Sequence, residues 1–232
     1  MFINGFDILW DEIDDYVADI KSIRSIDQFM FTKPVTFFCG ENGSGKSTLL
    51  EALAIKNGLN PEGGTRNYNF STYDSYSNLH KHMRLWRSRK PDWMYFLRAE
   101  SFYNVATKEM EYSGVFSERY HDQSHGQSFF SVLMKQTNKN GLYLLDEPEA
   151  ALSCQNQLAL LYLIQSCVKQ NCQFIIATHS PILLGFPGAQ ILSFDEDKVE
   201  EVDYKSTSSY QTMKLFFDRY DYFVEDIKEN EI

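Results

Sequence analysis

Between Val35 and Lys56 an apolar run ends in a glycine-rich octapeptide and passes directly into a helix-like pattern, and no other stretch restricts the fold as tightly. The octapeptide Gly40-Glu41-Asn42-Gly43-Ser44-Gly45-Lys46-Ser47 fits the pattern G-x-x-x-x-G-K-[ST]. Phosphate binding needs these residue types. Glycines let successive backbone N–H groups turn inward around phosphate oxygens at a helix N-terminus. Lys46 then reaches the β- and γ-phosphates, the Ser47 hydroxyl is placed as a Mg2+ ligand, and Thr48 continues the loop into the helix. Val35 to Cys39 supply β-branched and aromatic residues for a buried strand before the loop. Leu49, Leu50, Leu53 and Ala54 give the helix after it an apolar face that ends near Asn57-Gly58.

Three further motifs follow. Leu142 to Leu145 read as a buried strand delivering Asp146 beside the phosphates, where its carboxylate can hold Mg2+ through water. Glu147 is then placed to polarise an attacking water. Phe174 to Ala177 form a second such strand, followed by Thr178-His179-Ser180-Pro181. A histidine after a strand is commonly a packed residue. Downstream of a phosphate loop and an Asp-Glu pair, His179 reads instead as a γ-phosphate contact that keeps the water and Glu147 in register. Gln123-Ser124-His125-Gly126-Gln127 is on its own a polar turn before a helix, with Ser124 as a cap, and its place upstream of Asp146 makes it informative.

The remaining pattern alternates. A polar loop spans 60–70, a basic helix is predicted over 78–90 and stopped by Pro91, and a strand runs from Trp93 to Leu97. The stretch 103–121 has no clear pattern, and Ser128 to Gln136 read as a helix. Helices are expected at Gln155–Val168 and Ile182–Leu184, strands at Ile191–Phe194 and Val199–Val202, and two C-terminal helices at Thr207–Phe217 and Tyr222–Ile227. Alternation of this kind implies an α/β fold with a mostly parallel central sheet flanked by helices. One compact domain over 1–232 fits best, with a short irregular region at 101–123. The net charge of −10 disfavours indiscriminate binding to nucleic acid or anionic membrane. No apolar run approaches the ~20 residues of a membrane-spanning helix, so no membrane segment is expected. Met1 to Trp10 lack a basic start before an apolar run, and the four cysteines show no CxxC pairing, so a cytoplasmic protein with reduced thiols is expected.

Taken in order, these motifs resemble the ABC-ATPase superfamily: GENGSGKST its Walker A, SHGQS its signature, LLDEP its Walker B, EAALS its D-loop and THS its switch histidine. Within it the chain is similar to small predicted AAA-type ATPases, which share stretches like NPEGG, FLRAESFYNVAT, LYLLDEPEAALS and QFIIATHSPILL, and the similarity covers nearly the whole length. The resemblance implies ATP and Mg2+ as ligands and a P-loop NTPase head that pairs head-to-tail in an ATP-dependent homodimer. Ser124, Gly126 and Gln127 would then act on the second subunit's γ-phosphate. The family's sensing glutamine between Walker A and signature is absent. Glu100 is the first positional match, as a metal-side residue, and Arg98 the second. His125 stands where transporter signatures usually carry glycine. The gap from Glu100 to Ser124 leaves no room for a transporter's helical subdomain or an inserted coiled coil.

Lys81, Arg84, Arg87, Arg89 and Lys90 make the 80–90 segment basic; a solvated face, a nucleic-acid surface and a protein-docking face are all open readings. Tyr16 precedes the P-loop at about the place of an adenine-stacking aromatic, with core packing as its alternative. Cys39 reads as a small packed residue under the loop. The leading expectation is ATP hydrolysis coupled to head association and to an unidentified protein partner. The alternative is an ATP-stabilised regulatory or nucleic-acid-associated module with slow turnover. A small-molecule kinase is disfavoured, because the Asp-Glu pair and late histidine suit water activation rather than water exclusion.

Overall fold

The computed structural model describes residues 1–65, 76–99, 134, 137 and 140–229. In chain order its first half contains β1 (Ile3–Ile8), α1 (Lys21–Arg24), β2 (Gln28–Met30), β3 (Val35–Cys39) and α2 (Lys46–Lys56), then α3 (Leu79–His82), β4 (Met83–Arg87) and β5 (Trp93–Arg98). The second half contains β6 (Gly141–Asp146), α4 (Cys154–Val168), β7 (Gln173–Ala177), α5 (Pro181–Leu184), β8 (Gln190–Ser193), β9 (Glu200–Glu201), α6 (Ser208–Asp218) and α7 (Tyr220–Glu229).

Strands that are apolar on both faces are satisfied only between two covering layers. Every residue of β3, β6 and β7 is buried, and these strands form the middle of a six-stranded sheet ordered β5-β6-β7-β3-β8-β9. The first five strands run parallel and β9 returns antiparallel on β8. The expected α/β class with a mostly parallel central sheet is the fold observed. On one face Leu145, Ile176 and Phe37 pack with Leu160 and Ile164 of α4 and Leu183 and Leu184 of α5. On the other, Leu144, Ile175 and Phe38 pack with α2, whose residues Leu49 to Ala54 are buried without a break.

That uninterrupted burial has a cause the sequence concealed. A second sheet, β2-β1-β4, is antiparallel and contributes Phe2, Ile3, Phe6 and Met83 to the same cluster as α2, so α2 is covered from both sides. The fully buried Gln173 ties β1 to the central sheet. Its Oε1 accepts from the Phe2 and Ile3 N–H groups at 2.7 and 3.0 Å, and its Nε2 donates to Ile3 O at 2.9 Å.

The basic helix expected over 78–90 is corrected. Only Leu79–His82 is helical, and Met83–Arg87 is a strand paired with β1. Lysine and arginine favour helix, but cross-strand contacts outweigh that preference. Arg84 meets Asp7 across the ladder at 2.8 Å, and Trp86 Nε1 donates to the same carboxylate at 2.8 Å. The helix expected at Ser128 to Gln136 and the unassigned stretch 103–121 fall mostly or wholly outside the described residues.

Candidate nucleotide site

The P-loop lies at the C-terminal edge of β3, the edge where parallel sheets present their ligand sites. Gly40, Gly43 and Gly45 all have positive φ. Gly45 leaves no alternative, since at φ 96 a Cβ would lie 2.7 Å from the Ile23 side chain. The segment around α1 therefore packs directly under the loop, and Ser22 Oγ donates to Ser44 O. Tyr16 stands just before this segment and is exposed. Cys39 is buried beneath the loop, and burial pushes its thiol up to about 12.

Lys46 is buried, and its Nζ donates to Gly40 O and Glu41 O, each at 2.7 Å, and to Ser44 Oγ at 3.3 Å. Burial pulls this ammonium below the ordinary lysine value, while the carboxylates of Glu147, Asp146 and Asp195 pull it back up. Ser47 Oγ donates to Asp146 Oδ1 at 2.8 Å across 99 residues of sequence. One hydroxyl and one carboxylate are hard oxygen donors, and Mg2+ is usually held by one or two carboxylates together with substrate phosphates. The pair fits that ion.

Glu147 has φ 49 and ψ 49, an uncommon conformation for a residue with a side chain, and its N–H donates to Ala177 O at 2.9 Å. Its Oε1 stands 3.6 Å from His179 Nε2, which has no hydrogen-bond partner among the described residues. A buried ring nitrogen of this kind has a place for a phosphate oxygen or water. Lys46, Ser47, Asp146, Glu147 and His179 thus converge as the motifs imply. Gly40 through Thr48 form one continuous loop and helix start. Glu100, Ser124, Gly126 and Gln127 lie outside the described residues.

Asp195, Glu149, Glu51 and Ser22 join the site without having been singled out for it by sequence, and Arg98, the second match for the sensing glutamine, joins with them. Asp195, just past β8, accepts the Glu41 N–H at 2.9 Å through Oδ1 and the Ser208 hydroxyl at 3.0 Å through Oδ2, so it links the P-loop to α6. A cavity of about 540 Å3 opens beside this link, lined by Gly40, Glu41, His179, Ser208, Met213 and Phe216. Glu149 accepts the N–H groups of His179 and Ser180 through Oε1 at 2.5 and 3.2 Å and so fixes the histidine backbone. Arg98, opposite Asp146 in the β5–β6 ladder, donates to Glu51 at 2.5 Å and lies 3.6 Å from Asp146 Oδ2. Burial raises the Glu51 carboxyl and the Arg98 guanidinium opposes that rise. Asp195 and Glu149 had one usable signal, an acid at a strand's C-terminal end or one turn beyond it. Glu51 and Ser22 had none.

The basic segment is largely occupied within the fold. Arg84 pairs with Asp7, Arg87 donates to Lys56 O at 2.9 Å at the end of α2, and the Arg89 guanidinium lies 4.5 Å over the Phe2 ring.

A family model described as AAA domain matches residues 17–83, and a second, described as AAA ATPase domain, matches 125–184. A Haemophilus influenzae protein described as an uncharacterized ABC transporter ATP-binding protein is 28% identical over 183 residues, 68% of each chain. Among solved structures, cbiO1 of Clostridium perfringens, part of the ABC transporter complex cbiONQ, superposes with a TM-score of 0.45 at 17% identity, over 97% of this chain and 100% of its own. An inward-facing putative metal-chelate type ABC transporter superposes at 0.43 with 19% identity, over 80% of this chain and 79% of its own. Both superpositions are loose and add nothing to the family reading. No helix among the described residues is long and apolar enough to cross a membrane. Motif order and the two matched segments agree: the chain is similar to ABC/AAA-type P-loop ATPases, with AAA-family models matching 17–83 and 125–184.

Proposed function

We propose that this ATPase hydrolyses Mg-ATP at sites shared between two head-to-tail copies and passes the resulting movement to a protein partner. The observation that carries the reading is the meeting of Ser47 with Asp146 at 2.8 Å beside the Glu147–His179 pair at 3.6 Å. In this reading Lys46 exchanges the carbonyls of Gly40 and Glu41 for β- and γ-phosphate oxygens, and the loop N–H groups from Glu41 to Thr48 hold the rest of the phosphate chain. Ser47 and Asp146 would hold Mg2+, which would supply neutralisation of charge on the transferred phosphoryl group. Glu147 accepts the proton of the attacking water, and His179 orients that water and the γ-phosphate. Tyr16 stacks on the adenine from its exposed position beside α1. Ser124, Gly126 and Gln127 serve the partner copy's γ-phosphate. Residues 1–232 act as one ATPase domain, with 101–123 in place of a helical subdomain.

Mixing tests the shared site. Ser124→Arg spoils the site on the partner, and Lys46→Ala spoils the chain's own site, so each variant alone is inactive. Their mixture contains heterodimers with one intact site, and phosphate release should return in part. No rescue, with both variants folded and the Ser124→Arg chain still binding ATP, would remove the shared-site geometry.

A further inference from the structure

The turn joining α4 to β7 gathers a second set of reactive groups, far along β7 from His179. The Cys172 N–H donates to Cys167 O at 3.1 Å, the Gln170 N–H to the same carbonyl at 2.8 Å, and Asn171 between them has φ 66. This is the Schellman form of helix ending, in which the residues at these two places face each other in apolar contact. An aliphatic pair would complete the cap equally well. Here both members are thiols, buried at 5% and 2% exposure. The cap sets the Cys167 thiol beside the Cys172 sulfur, close to Tyr143 and to the backbone at Asn140 and Gly141. Gly141 is required by that arrangement, because a Cβ there would lie 2.3 Å from the Tyr143 hydroxyl oxygen. Hydrogen bonding from Cys167, then from Gly141, Tyr143 and Asn140, outweighs burial and holds the Cys172 thiol below its ordinary value, while the same pairing and burial drive Cys167 up.

We propose that Cys167 and Cys172 form a dithiol site that reduces a small hydroperoxide and closes to a reversible disulfide. The Cys172 sulfur attacks the terminal peroxide oxygen, an S–O bond forms, the O–O bond breaks, and the leaving alkoxide or hydroxide takes a proton to become alcohol or water. Cys167 then attacks the Cys172 sulfur, the S–S bond forms, the S–O bond breaks, and hydroxide leaves as water with the Cys167 proton. The peroxide gains two electrons and the thiol pair loses two. The burial of the pair excludes a bulky disulfide oxidant. Cys154, exposed at the start of α4, serves as an internal comparison.

The test treats the whole folded chain at neutral pH with hydrogen peroxide, one equivalent per chain, and reads products by intact and peptide mass spectrometry. The expected product has lost two hydrogens, links the Cys167 and Cys172 peptides, survives Cys154→Ser and reverts with dithiothreitol. Cys167→Ser should stop at Cys172 sulfenic acid, trapped by dimedone, and Cys172→Ser should give no adduct at Cys167. Circular dichroism confirms that each variant is folded. Oxidation at Cys154 ahead of the pair, a linked product that appears only in urea, or a folded Cys167→Ser chain without a dimedone adduct would each overturn the assignment.

Discussion

Lys46 shows how one side chain can shape a loop around its own charge. Its ammonium bridges the Gly40 and Glu41 carbonyls, so the P-loop already has a closed shape around a charge that burial makes costly. Phosphate oxygens offer the same ammonium stronger partners. Asp195 does comparable work from outside the motif by holding the Glu41 N–H. Asp195→Ala should therefore raise the KM for Mg-ATP about tenfold, the value of one hydrogen bond to a charged group at ~1.4 kcal/mol, with kcat nearly unchanged. Steady-state phosphate release across ATP concentrations reads this directly. An unchanged KM would limit Asp195 to tethering α6. The convergence of the P-loop with Asp146, Glu147 and His179 was legible in sequence because each motif is local and follows the end of an apolar strand. Asp195 was not, because its partners lie 154 residues before it and 13 after it.

At the scale of elements, legibility followed burial on both faces. β3, β6 and β7 were readable as apolar runs, whereas β1 and β2 were not, since Gly5 and polar residues interrupt the pattern and their stability comes from β4 and Gln173. β4 was misread because Met83-Arg84-Leu85-Trp86-Arg87 carries helix-favouring cations on a period close to two. Gln173→Leu should lower unfolding stability by about 2–5 kcal/mol, because it leaves buried Phe2 and Ile3 backbone groups unpaired. Urea denaturation measures this, and a loss below ~0.5 kcal/mol would mean β1 is held by packing alone. Asp7→Asn probes the other edge. Hydrogen bonding from Arg84, then from Trp86, holds the Asp7 carboxyl below the usual carboxylate range. Such a group stabilises the fold above its unfolded pKa and loses that contribution as pH falls through its folded one. The variant should be less stable at neutral pH by about 0.2–1 kcal/mol, the value of a cross-strand pair, since Arg84 is largely exposed to screening. The difference should shrink in acid below the ordinary carboxylate value. A difference that does not vary with pH would assign the effect to packing.

For the whole molecule, the fold brings two distant halves of the sequence to one edge. The first family match ends at residue 83 and the second begins at 125, and their chemical groups meet only because β3 lies beside β7 with β6 next in the sheet. On this account the arrangement is a water-activating site. In the proposed function Glu147 would accept the proton, and the other residues would hold ATP. The most direct measurement compares wild-type and Glu147→Gln protein for Mg-ATP binding by calorimetry and for phosphate release under the same conditions. The account predicts retained ATP affinity with phosphate release slowed about 10²–10⁴-fold, the range for loss of a general base. Phosphate release at the wild-type rate by the Glu147→Gln protein would contradict it.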